Sequence, residues 1–438
     1  MTQVLFSFDT EDYTNPGADE AILRLARTLT AEGVRGCFNI VGELGIALEE
    51  RNRPDIIRAL EAHEIDFHSW RHTWHPTVVE YGDCADWNVG YERFLNEERR
   101  ASQAVKRIFK RDKLFAAIPP GNCITSQAPY VYHDLDIPLY SGSLFKQTRG
   151  KTIWYCNQIN LENNLYLDDV LWNEGKEAFL KRADAYQDYE RVIVCMHPNM
   201  SMYKKFWDAL NCQGENQVEF GHWRLPERHS EEDINRFYEG FAEIVRYFKT
   251  TPGYELVTYE DIWKEERDRR HPLSRNRLIS ALRKAKERFF FVEEGGETFS
   301  LAELYEACIH FASGGQGDFT PRGKRGPLEQ PFAISYPVTL RAEDIRREAE
   351  NCRVFDGVPS SLNIGGTQIG PADFMWAVLQ MLEGREQISL SPFDCTIPTQ
   401  NYYNFEKFAL KHTWMHSETF EDNFTTERIR LQAWTIRE

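Results

Sequence analysis

Val4-Leu5-Phe6-Ser7-Phe8-Asp9-Thr10-Glu11-Asp12 lies at the start of the chain. Its first five residues read as a buried strand, and the next four set a cluster of carboxyl groups at the strand's end. The alternation that follows decides the fold class. Asp19–Ala31 carries acids in its first turn, apolar Ile22, Leu25, Ala26 and Leu29 on one face, and Gly33 as a stop, which predicts a helix. Val34–Ile40 reads as a strand, Pro54–Ala62 as a helix and Glu64–Phe67 as a short strand. Tyr91–Phe109 is predicted helical, Leu114–Ile118 extended, Pro119-Pro120-Gly121 a turn, Ile137–Tyr140 a strand and Glu174–Tyr186 a helix. Arg191–Met196 is a buried strand. Ser230-Glu231-Glu232-Asp233 then opens a helix with Ile234, Phe237, Phe241, Ile244, Val245 and Phe248 at helical spacing. Tyr254–Thr258 and Tyr259–Lys264 form a last strand and helix. Repeated βα units imply a parallel sheet. Because Asp9, His68 and His197 each fall just after a strand, a barrel with its site at the strands' C-terminal ends is the expected closure.

The stretch His63-Glu64-Ile65-Asp66-Phe67-His68-Ser69-Trp70-Arg71-His72 supplies two imidazoles at i and i+4. Two histidines at that spacing converge on one ion, a carboxylate completes a facial set, and water takes the remaining positions of an open divalent-metal site. Among the other histidines, His75 is an accessory candidate beside Trp74 and Pro76. His63 is expected to satisfy local backbone groups. His222 and His229 flank Trp223 in an insertion-like segment, Lys204–His229, expected to be a structural loop with a substrate cleft as the alternative.

The chain has 438 residues, enough for two or three domains. Its 42% apolar and 13% aromatic content marks a globular protein. A formal charge of −16 disfavours nucleic acid and anionic membrane surfaces as partners. No apolar run approaches the roughly 20 residues of a membrane span. The start shows no basic n-region, apolar h-region or cleavage site, so a cytoplasmic location is expected. Nine scattered cysteines without a C-x-x-C pair agree with that and read as small buried apolar residues; Cys195, near a strand's functional end, is the one to watch.

A charged run from Lys264 to Arg270, followed by His271-Pro272, marks a predicted boundary between a first domain, 1–268, and a second, smaller α+β domain, 273–438. In the second, Gly295-Gly296-Glu297-Thr298-Phe299-Ser300-Leu301-Ala302-Glu303-Leu304 recurs seventy positions later as Gly365-Gly366-Thr367-Gln368-Ile369-Gly370-Pro371-Ala372-Asp373-Phe374. Each copy reads as a strand, a Gly-Gly turn, a short strand and an amphipathic helix. Between them, Gly314–Pro327 is expected to be a loop, because no strand-to-helix context makes it a phosphate cradle.

The set Phe8-Asp9-Thr10-Glu11-Asp12, His68-Ser69-Trp70-Arg71-His72 and Met196-His197-Pro198, with Glu255–Asp261 as a closing strand, resembles the polysaccharide deacetylase superfamily (carbohydrate esterase family 4, the NodB-homology domain) over about residues 1–265. The resemblance implies a distorted (β/α) barrel and a metal-dependent hydrolase that removes an N-acyl group, acetyl first, from an amino sugar or glycan precursor. It makes Asp9 the catalytic base, His197 the general acid and His68 and His72 metal ligands. Thr10 stands where many members carry the third ligand; some branches place it two residues after the base, which points to Glu11, on the same side of an extended strand as Asp9, with Asp12 in reserve. The implied cofactor is a divalent cation, zinc first, with cobalt, nickel or manganese as alternatives. The family's third motif usually carries an arginine that orients the base. Here the nearest match, Ala116-Ala117-Ile118-Pro119-Pro120-Gly121-Asn122, has none; Arg71 is the replacement cation to look for. Backbone N–H groups of the Pro120-Gly121 loop are expected to face the oxyanion, and Trp70 is a candidate stacking platform for a sugar ring.

In such a site the ion polarises the carbonyl and lowers a water's pKa from ~15.7 towards ~7. Asp9 would take the water's proton and His197 would protonate the departing amine, each step contributing about 10²–10⁴-fold. Two rival readings remain: hydrolysis of another linear or cyclic amide, and a non-catalytic glycan- or partner-binding role. The Gly-Gly repeats, about 291–313 and 361–384, resemble pseudomurein-binding repeats. The expected role of the second domain is that of an accessory that frames the cleft or mediates homo-oligomerisation.

Overall fold

The computed structural model describes residues 1–142, 144–146, 148–212, 217–267, 270–399, 402–403, 416 and 422–438. The chain packs into two compact units. The first holds Met1–Thr152, Ile159–Glu266 and Tyr403–Phe424; the second holds Ile153–Gln158, Arg267–Tyr402 and Thr425–Glu438. No helix among the described residues is long and apolar enough to cross a membrane.

The first unit is an α/β protein built around a curled sheet. Its central strand, β1 (Thr2–Thr10), is buried almost throughout and pairs in parallel with three others. Its start lies beside Tyr254–Leu256, its end beside β2 (Cys37–Ile40), and its other edge runs along Arg191–Met196. From β2 the parallel order continues through β3 (Glu64–Phe67), β4 (Ala116–Ala117) and β5 (Leu139–Gly142) to Gln158–Glu162. On the far side Leu165–Tyr166 pairs with Arg191–Met196. The two flanks meet in the chain itself, because Asn163 and Asn164 lead directly from one into the other. Asn163 N–H donates to Gly142 O (3.1 Å), and Asn164 N–H donates to Ile193 O (3.3 Å). The result is a distorted barrel whose seam is a covalent link and not a ladder between two separate strands.

Helices cover the outside for the reason the pattern gives: each buries one apolar stripe. Asp19–Glu32 ends at Gly33 in the left-handed conformation (φ 69°) and buries Ile22, Leu25, Ala26 and Leu29. Glu231–Thr250 is capped by Ser230 and packs Phe241 and Phe248 edge-on against Phe6, with Phe8 stacked on Phe38 beneath (4.7 Å). The expected Glu174–Tyr186 helix is present as Lys176–Asp184, and an unforeseen helix, Leu167–Asn173, precedes it; Gly175 between them sits at φ 84°. The helix Gly42–Glu50 was not expected; it begins on glycine with no side-chain cap.

In the second unit the repeat is real in structure. Val292–Glu294 pairs with Glu297–Phe299 ahead of the helix Leu301–Ala312, and Leu362–Ile364 pairs with Thr367–Ile369 ahead of Pro371–Leu382. All four turn glycines have positive φ (67° and 79°, 58° and 87°), the conformation a two-residue hairpin turn demands. The acid three residues into each helix reaches back to its start. Glu303 accepts from Ser300 N–H, and Asp373 accepts from Gly370 N–H.

Candidate metal and acid–base site

Strand ends bring the site together. Asp9 is the penultimate residue of β1, Glu11 follows it, His68 follows β3 and His197 follows Arg191–Met196. All four sit at the C-terminal rim of the barrel. His72 is carried back by the short loop after His68, in which Ser69 (φ 65°) and His72 itself (φ 57°) take left-handed backbone and His72 N–H donates to Ser69 Oγ (3.2 Å).

Glu11, His68 and His72 converge. Glu11 Oε2 lies 2.9 Å from His72 Nε2 and 3.4 Å from His68 Nε2, and all three residues are buried. One ligand atom from each falls within 4.8 Å of the others. Neither ring nitrogen of His68 has a hydrogen-bond partner. A fully buried imidazole left that way is costly unless something else takes a lone pair. Two imidazoles and one carboxylate also form the donor set that a divalent transition ion accepts with positions to spare, so the residues fit the group.

The alternative ligand is placed elsewhere. Asp12 Oδ1 accepts from Thr14 N–H (3.0 Å), Thr14 Oγ1 (2.8 Å) and Asn15 N–H (3.1 Å), so this carboxyl shapes the loop after β1 instead of joining the triad. Burial pushes Asp12 up to about 7, against the pull of those hydrogen bonds. Thr10 is turned to the backbone, donating to Phe8 O. Glu11 differs. Burial disfavours its charge, but the adjoining imidazole of His72, with His68 close by, outweighs burial and holds it well below the usual carboxylate range.

Facing the triad are Asp9 and His197, with His197 Nε2 3.8 Å from Asp9 Oδ2. On its other nitrogen His197 meets Asp168 Oδ2 at 2.7 Å, and its backbone N–H donates to the same oxygen (3.2 Å). Burial works against protonation of His197, yet Asp168, with Glu11 and Asp9 behind it, pushes the imidazole up to about 10. Asp168 opens the helix Leu167–Asn173 and carries no pattern that would single it out in the sequence. Asp208 was missed for the same reason. Its Oδ2 lies 3.7 Å from His72 Nδ1, and burial raises it to about 6. Both stand where a carboxylate fixes an imidazole's orientation through the nitrogen that faces away from the site. Trp207, also unforeseen, is fully buried and donates Nε1–H to Glu11 Oε1 (3.3 Å).

The remaining expectations divide. Arg71 does not stand behind Asp9; its guanidinium pairs with Glu43 (2.8 Å) and lies over the Trp70 ring (4.2 Å). The Arg100 guanidinium also lies over the Trp70 ring (4.8 Å), and Trp70 lines a small cleft of about 40 Å³ with His72, Thr77, Glu98 and Pro120. Pro120 has no N–H to offer. Asn122 and Cys123 donate theirs to Pro119 O and Pro120 O, which leaves Gly121 as the amide of that turn to face a ligand. His75 pairs with Glu80 (2.6 Å) and stays out of the triad, and His63 bonds Thr30, Ala26 O and Gly36 N–H. His222 is solvent-facing beside Glu219, and His229 stacks on Trp172 (3.9 Å). Phe220 and Trp223, from the Lys204–His229 excursion, pack against Trp74 and Tyr13. Cys195 is buried and its thiol is pushed well up by burial, so it is inert.

No known protein-family model matches the chain, and no curated protein matches it in sequence. Solved structures do resemble it in fold. A structure from Mycobacterium smegmatis named provisionally as a polysaccharide deacetylase shares 16% identity at a TM-score of 0.42, covering 61% of this chain and 90% of that one. A Streptococcus mutans CE4 esterase shares 15% at 0.35, covering 59% and 85%. A Bacillus anthracis protein described as a CE4 family pseudoenzyme shares 11% at 0.34, covering 59% and 64%.

Proposed function

We propose that the chain is a metal-dependent amidohydrolase that removes an N-acyl group, acetyl first, from an amino sugar or glycan precursor. The observation that carries this reading is the opposition of two halves across one rim. Glu11, His68 and His72 converge on one side, and Asp9 and the Asp168-held His197 face them from the other. A divalent cation held by the triad would supply Lewis acidity toward a carbonyl oxygen and a water.

The chain's own residues account for the proton traffic. Asp9 Oδ2 faces the rim and accepts the proton of the attacking water. His197, kept protonated at neutral pH by Asp168, donates from Nε2 to the departing amine nitrogen, which leaves poorly as an anion. The two groups are 3.8 Å apart, close enough to serve one reacting centre in succession. Gly121 N–H is the proposed oxyanion donor, and Trp70, with Arg71 and Arg100 over its ring, borders the cleft beside it. Residues 273–438 are proposed as an accessory domain to this catalytic one.

Zinc-loaded full-length protein, assayed for acetate release from N-acetylglucosamine oligosaccharides and nucleotide-linked N-acetyl sugars, tests the proposal. Release that is lost in Asp9→Asn with zinc still bound supports it. Hydrolysis confined to other linear or cyclic amides would move the substrate class. Bound zinc with no turnover of any acyl or amide compound would favour a binding role and defeat the proposal.

A further inference from the structure

We infer that Asn39 is the positioning residue for Asp9 and that it does so as a neutral donor in place of a cation; the inference rests on the reading of Asp9 as the base. Asp9 and Asn39 are register partners in the parallel β1–β2 ladder, so their side chains leave the sheet on one face, next to each other. Both are buried. Asn39 Nδ2 donates one hydrogen to Asp9 Oδ1 and the other to Ser7 Oγ, each at 2.8 Å. Ser7 Oγ is in turn 3.0 Å from the buried Tyr259 hydroxyl.

The amide is held at a cost. Its Oδ1 is buried with no hydrogen-bond partner. An amide whose task was only to fill the interior would turn so that its oxygen met a donor. Turned that way, Oδ1 would lie against the Asp9 carboxylate. The observed orientation leaves a carbonyl unpaired and gains a hydrogen bond to a charged acceptor, the stronger kind. Its effect on Asp9 is directional. Oδ1 is tied to β2, which leaves Oδ2 as the oxygen that points across the rim toward His197. Among the described residues no arginine or lysine pairs with Asp9, and Arg71 is engaged with Glu43 and Trp70. The orienting task therefore falls to one neutral side chain of a buried strand.

The test compares zinc-loaded wild type with Asn39→Leu, which keeps shape and removes both donors, Asn39→Ser, which folds if leucine does not and is too short to reach Asp9, and Ser7→Ala. Kinetics on N-acetylglucosamine oligosaccharides are read with zinc stoichiometry, thermal unfolding and crystal structures. Loss of the bond to Asp9 should lower kcat by about ten- to a hundred-fold with KM and zinc content unchanged, and Asp9 Oδ1 should leave its place in the structures. Ser7→Ala should keep kcat near wild type, because Asn39 still holds Asp9. Wild-type kcat in Asn39→Leu or Asn39→Ser, an equal loss of kcat in Ser7→Ala, or an unmoved Asp9 carboxylate would overturn the inference. If the wild type is inert on every sugar, the proposed function fails by itself, and the position of Asp9 in the variant structures still decides the role of Asn39.

Discussion

Replacing Glu98 by glutamine should abolish a steep pH dependence of stability. Glu98 lies on the inner face of the Trp87–Phe109 helix and is only 3% exposed. Its Oε1 accepts from Trp70 N–H and its Oε2 from the Tyr132 hydroxyl, both at 3.3 Å. Burial pushes this carboxyl from 4.5 up to about 8, against the pull of those two donors. The native protein therefore keeps Glu98 protonated through neutral pH, whereas the unfolded chain ionises it above about 4.5. The unfolded state binds fewer protons in that window, so stability falls as pH rises. The contribution is fully present below about pH 4.5 and is lost as pH passes through about 8. At about 1.4 kcal/mol per pH unit, the whole window amounts to about 5 kcal/mol.

Glutamine ionises in neither state. Its amide oxygen can accept from Trp70 N–H and its amide N–H can donate to the Tyr132 oxygen. Urea unfolding of wild type and Glu98→Gln, followed by tryptophan fluorescence, is compared at steps from about pH 5 to about pH 8, so that titrations common to both chains cancel. The stability difference should grow in favour of glutamine by about 1.4 kcal/mol per pH unit and level off near pH 8. Parallel stability curves would show that Glu98 is ionised in the native state and refute the reasoning.

Three more substitutions have definite expected outcomes. Glu11→Ala should weaken zinc binding by more than about 100-fold, beyond the usual loss from an outer partner, while Asp12→Ala leaves it nearly unchanged; competition with a chelator separates the two. Asp168→Asn removes the charge 2.7 Å from His197 Nδ1 and should lower its imidazole by roughly 1–3 pH units, read by NMR titration in the zinc-free protein. Stability due to that pairing is present below the unfolded value near 6.5 and lost as pH rises through about 10, so the variant's deficit should shrink at alkaline pH. Arg191→Met removes the guanidinium that meets the fully buried Glu266 carboxylate at 2.9 Å and should cost about 3–5 kcal/mol in denaturant unfolding.

The parts of the site that were legible in the sequence are those tied to period and strand end. Asp9, His68 and His197 stand where apolar runs stop, and Glu64–Phe67 and Arg191–Met196 begin and end as the pattern predicts. The resemblance points to Glu11 ahead of Asp12, an extended strand agrees with it, and the two carboxyls do go separate ways. What stayed hidden depends on tertiary approach. Asp168 follows a strand of only two residues, Leu165–Tyr166, too short to show a period. Asp208 and Trp207 return from the Lys204–His229 excursion, which has no periodic signal of its own. Asn39 was not singled out, because its partner is on a neighbouring strand thirty residues away. The expected strand Leu114–Ile118 shrinks to Ala116–Ala117 because Asp66 Oδ1, not a ladder carbonyl, takes the Phe115 and Ala116 N–H groups.

The covalent seam at Asn163–Asn164 divides the chain in a way no sequence boundary announces. Cleaved there, the protein would fall into one fragment bearing Asp9, Glu11, His68 and His72 and another bearing Asp168 and His197. Neither piece alone has both the proposed ligand triad and the proposed proton donor. What would reunite them is the six-residue parallel register between β1 and Arg191–Met196. The protein is therefore a natural candidate for fragment complementation, in which restored chemistry reports that two separately made halves have found the same register.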